Sequence, residues 1–213
     1  MDITEKITGV IKSPGNTMKT IAEAPLIEEA FLIVGIFAVI SALAGYVQSF
    51  KLIYDFQGLE NPISSMQSFM TIFTIVSALI GAFLIWLIGT GILHLISMAL
   101  GGEGKFTPQM LTIVGYCMIP LVLAGIMELV LFSMADPVTI TISPGSTAGL
   151  KELYDNPYFL GASIIGLIMQ AWFSFLLYFG IQNAHKLSPS KSVIVAGIPL
   201  AVSIISFAWS RLI

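Results

Sequence analysis

Glu128 is a lone carboxylate in an otherwise apolar run, and on a helix it shares a face with Tyr116, Pro120 and Ala124, each four residues from the next. A carboxyl and a phenol on one stripe could take up, hold or hand on a proton, the chemistry that ionisable groups inside a membrane usually mark. A second row of four, Gly166, Gln170, Ser174 and Tyr178, leads to Gln182 and offers amide and hydroxyl groups at the same spacing. If the rows face each other, they either bond helix to helix, at about 1 kcal/mol or less per contact, or line a path for a solute or proton. Bonding is the favoured reading. His94 is a second ionisable group inside an apolar run, but it lies two turns from the glycine-rich connector, whereas Glu128 lies toward the far end of its own run. The two are therefore not expected to act as a pair. Glu128 reads as a structural anchor, neutralised by water, by protonation or by Arg211.

Other chemistries find no residues to carry them. There is no HExxH, no GxSxG, no Walker loop and no spaced set of metal ligands, so neither an enzyme nor a cofactor or metal is expected. Cys117 is the single cysteine and sits in an apolar run, which rules out an internal disulfide. The GxG of Gly89 and Gly91 lies in another such run, where helix packing explains it better than phosphate binding.

What must position these residues follows from composition. Hydrophobic residues make up 56% of the chain and charged ones 10%, with a mean hydropathy of +0.94, far from the roughly 25% charged of a globular domain. Five charge-poor runs, at about residues 30–50, 68–100, 107–134, 159–183 and 192–211, each meet the roughly 20 residues a membrane helix needs. The expected fold is all-α: an integral membrane bundle of five transmembrane helices over residues 30–213, preceded by a short cytoplasmic amphipathic segment, residues 1–29. Its first partner is the lipid bilayer; protein partners or a second copy of the chain are the others such a bundle admits. A net charge of -3, without any basic run, argues against nucleic acid.

Five spans put Lys6, Lys12, Lys19, Lys105, Lys186 and Lys191 on one side and Lys51, Lys151 and Arg211 on the other. Because cations favour the inner side, the N-terminus is expected in the cytoplasm and the C-terminus outside. Glu28 and Glu29 stand where a signal peptide would be basic, so the first span is expected to stay attached.

The opening MDITEKITGVIK places Ile3, Ile7, Val10 and Ile11 at helical spacing, suiting either an interfacial helix or one packed on the loops, and SPGN should break it. As one helix, residues 68–100 would run nearly 50 Å at about 1.5 Å per residue, so the second span must tilt, protrude or bend. Gly81, Gly89 and Gly91 are expected to serve close helix packing rather than hinging. In GGEGKFTPQM, Gly101 and Gly102 should end that span as a candidate hinge, with Thr107 and Pro108 starting the next; Pro120 should kink it.

SPGNTMKTIAEAP before the first span, the glycines and phenylalanine of GGEGKF, and Gly115-Tyr116 followed by Pro120 together make the chain resemble the Yip family of Ypt-interacting membrane proteins from about Ser13 onward. The resemblance implies a cytoplasmic N-terminal segment and five spans. It also implies a non-enzymatic role in membrane organisation or partner scaffolding; in eukaryotic relatives that role extends to trafficking and Rab-type GTPases. The long hydrophilic N-terminal region and the Asp-Leu-Tyr-Gly-Pro motif of many such relatives are missing here, which argues against GTPase binding. A small-solute or ion transporter with a polar path lined by the third and fourth spans is the alternative. A transporter usually shows repeated halves, and five spans do not divide evenly.

Overall fold

A computed structural model of the chain describes residues 1–56, 63–142 and 148–212. Helices α1 (Ile3–Lys12) and α2 (Pro14–Glu23) precede α3 (Ile27–Ser49), strand β1 (Leu52–Phe56) and α4 (Ile63–Ala99). A π-wound turn, Phe106–Met110, then leads into α5 (Leu111–Cys117) and α6 (Ile119–Met134). Strand β2 (Val138–Ile142), α7 (Ala148–Asp155), α8 (Pro157–His185) and α9 (Pro189–Leu212) complete the described chain. Five helical stretches, with α5 and α6 counted as one, are long and apolar enough to cross a bilayer. The protein is an all-α, multi-pass membrane bundle.

The spans pack in the spatial order α4, α3, α5/α6, α8, α9. At one end of the bundle α2 folds onto α5 and α8, with α1 packed on α2; at the other, β1 and β2 pair in parallel, from Leu52 opposite Val138 to Phe56 opposite Ile142. The strands run parallel because each continues a helix that leaves the bundle at the same end. Neither strand nor α7 was expected from the sequence. The alternating Val-Thr-Ile-Thr-Ile of β2 is nonetheless a strand pattern, and its inward Ile140 is buried.

Local chemistry explains where helices begin and stop. Asp2 and Glu5 form a reciprocal capping box on α1. SPGN does not open a loop: the break is confined to Ser13, and Pro14 stands in the first turn of α2, where its missing N–H costs nothing. α4 continues unbroken for 37 residues, about 55 Å at the helical rise. Gly81 and Gly89 have nothing near the place a Cβ would occupy, so the expected close packing does not occur there. The tight approaches lie elsewhere, at Gly115 on Ala30, Gly125 on Ile40 and Gly45 on Thr74. The helix of the third span stops at Met118, two residues before Pro120, whose ring cannot continue the hydrogen-bond ladder.

Candidate functional site

Polar side chains gather at the two ends of the bundle. At the α1/α2 end, Lys6 is 4% exposed and its Nζ lies 2.6 Å from Oε2 of Glu29, itself 15% exposed. The Tyr116 hydroxyl donates to the same oxygen at 2.7 Å. Three elements are thereby tied by one carboxylate: the amphipathic α1, the start of the first span and the third span. A buried charge must be paired and hydrogen-bonded to persist, and here both conditions hold. Gln109 adds a second tie, since its amide oxygen accepts from the Lys105 N–H at 3.0 Å while its NH2 group donates to the Ala22 carbonyl at 2.9 Å. Gln109 thus caps the turn that Thr107 was expected to cap, and Thr107 itself is extended.

The same end holds the glycine-rich connector, and its geometry is set by His185. Gly101, in the left-handed region at φ 90°, and Gly102 close α4 with two reverse hydrogen bonds, to Met98 and Ser97, the Schellman arrangement that only glycine adopts without strain. Lys191 Nζ donates to the Leu100 carbonyl at 2.7 Å. These glycines build a defined helix end. The Glu103 N–H bonds the His185 carbonyl at 3.0 Å and the Gly104 N–H bonds His185 Nδ1 at 3.1 Å. A Cβ on Gly102 or Gly104 would stand 2.6 or 2.9 Å from that nitrogen, so the pattern Gly-Gly-x-Gly is the space the imidazole needs. Nδ1 is an acceptor in this arrangement. The proton of a neutral His185 therefore sits on Nε2, facing His94 Nδ1 at 3.3 Å.

At the strand end, Glu128 borders a cavity of about 240 Å³ with Gln48, Tyr154, Ser163 and Gly166. A second cavity of about 450 Å³ between α8 and α9 is lined by Gln170, Ser203 and Ser206, and shares Tyr154, Ser163 and Gly166 with the first. Arg211 does not neutralise Glu128: its guanidinium donates to the Tyr154 carbonyl at 2.6 Å and lies over the Tyr154 and Phe207 rings.

The two rows, which could have faced each other, do not form continuous facing stripes. Tyr116 turns to α3, Gln170 to α9, and only Glu128 meets the opposite row, at Gly166. A four-residue repeat marks one face only on an unbroken helix, and the interruption at Met118 separates Tyr116 from Glu128. Ser174 is buried, its hydroxyl without a partner among the described residues. His94 and Glu128 lie at opposite ends. Lys6, Glu29 and His185 were not singled out from the sequence, yet a signal existed: Lys6 shares a helical face with Ile3 and Val10, and His185 is the other of the chain's two histidines.

Residues 8–210 match the Yip1 domain. The chain belongs to the Yip1-domain family. The match covers Glu29, Tyr116, the glycine connector and His185, so most of the polar end just described, Lys6 excepted, lies within this Yip1 domain. A protein of Methanocaldococcus jannaschii, itself uncharacterized, is 30% identical over 130 residues, which are 61% of this chain and 86% of the relative. No solved structure matches this Yip1-domain chain.

Proposed function

We propose that this Yip1-domain protein acts without catalysis, as a membrane-embedded organiser or scaffold for partner proteins, with its α1/α2 end in the cytoplasm. The observation that carries this reading is the buried apolar layer between the two polar ends. Val34, Ala38, Cys117, Phe173, Leu176 and Leu177 are all buried there, and the Ser174 hydroxyl is the buried polar group beside them. Transport needs a continuous polar path, whereas the cavities at Glu128 and Gln170 lie at the strand end. A rigid α1/α2 end, fastened by Glu29 and Gln109, presents a defined surface to a partner. Reconstituted in proteoliposomes, neither the wild type nor Glu128→Gln should conduct protons or simple ions. A wild type with pH-dependent flux that Glu128→Gln abolishes, while still melting as a folded protein, overturns the scaffold reading in favour of transport.

The orientation rests on the six-to-three cation bias. In a Cys117→Ala background, Lys105→Cys should react with an impermeant thiol reagent from the cytoplasmic side and Lys151→Cys from the opposite side. Both parent side chains are exposed. Reaction of both from one side contradicts an odd number of spans between these ends.

A further inference from the structure

The strand-end cavities contain more polar groups than the protein satisfies. Glu128 makes no hydrogen bond or ion pair among the described residues, and the side chains of Gln48, Gln170, Ser203 and Ser206 likewise have no such partner. All but the exposed Ser206 are partly buried, and partly buried polar groups of this kind call for a ligand or water that completes their bonding. Depth narrows the choice. Gln48 is one residue from the end of α3, Glu128 six from the end of α6 and Ser163 six from the start of α8, so these groups lie within about 10 Å of the helix ends. That is the headgroup level of a bilayer whose apolar core is about 30 Å thick. Gln170 lies deeper, beside Ser203 on the α8/α9 side.

We propose that the two adjoining cavities together bind a lipid whose headgroup ends in a primary ammonium, the ammonium lying between Glu128, the Gln48 side-chain carbonyl and Ser163. An ammonium supplies three N–H donors and the positive charge that Arg211, committed to Tyr154, does not. The serine hydroxyls and the Gln170 amide of the larger cavity then face the ester and glycerol oxygens, with Leu167, Val202 and Phe207 against the chains. A quaternary ammonium has no N–H to donate, so the site distinguishes ethanolamine from choline headgroups.

The test is native mass spectrometry of the full-length protein with phosphatidylethanolamine or phosphatidylcholine of matched chains. Wild type should retain the ethanolamine lipid about tenfold better, the equivalent of one charge-assisted hydrogen bond. Glu128→Gln should erase that preference while still binding both lipids. Gly166→Leu, which fills the space shared by the two cavities, should reduce retention of both; a melt in detergent verifies that each variant is folded. Equal retention of the two lipids by wild type overturns the proposal, as does an undiminished preference in Glu128→Gln. Free ethanolamine competing at the lipid's own concentration would also overturn it, by assigning the ammonium to a soluble amine.

Discussion

Lys6→Ala should lower the stability of the folded protein by about 3–5 kcal/mol, the usual cost of leaving one partner of a buried ion pair behind. Glu29 would then keep its charge at the mouth of the bundle with only the Tyr116 hydroxyl bonded to it. The loss should appear as a large fall in melting temperature in lipid nanodiscs and as protease sensitivity of α1 and α2, whose hold on the first span is the Lys6–Glu29 contact. Adding Glu29→Gln to Lys6→Ala should recover much of the loss, because a neutral amide still accepts from Tyr116 and carries no charge to strand. A single Lys6→Ala variant that melts with the wild type shows that water, not the lysine, balances Glu29.

Gly115→Ala should cost about 3 kcal/mol, the upper part of the range for overpacking a filled interior. The added methyl would stand 2.5 Å from Cβ and 2.9 Å from Cα of Ala30, and the second of these is backbone. The first and third spans would have to separate along their length, loosening Tyr116 from Glu29 one residue away. Ala30→Gly in the same chain should restore part of the stability by returning the methyl's volume, and a double-mutant cycle in thermal melts reads the coupling. Additive losses from the two substitutions would mean that the helices do not touch at this point.

The number and rough bounds of the spanning helices were legible because each is a long run with almost no charge, a signal that needs no tertiary information. The glycine connector was legible as a helix end, but what it packs against was not. Nothing local reveals that His185, 81 residues further on, accepts from the Gly104 amide and fills the space the glycines leave. Glu29 and Lys6 show the same limit. Each looks like an ordinary surface charge near a chain end, and only the folding of α1 back onto α3 makes them a buried pair. The row from Tyr116 to Glu128 failed for a different reason: it was extrapolated across the interruption of its helix at Met118.

The dependence of the connector on His185 also sets an order in time. Residues 101–104 leave the ribosome before the end of α8 exists, and at about 5–20 residues per second the 81 residues separating Gly104 from its acceptor take about 4–16 s to make. During that interval the second and third spans can be in the membrane while the turn between them has water for a hydrogen-bond partner. The hairpin they form is therefore provisional until the fourth span arrives, and His185 acts as a late latch on a joint made early.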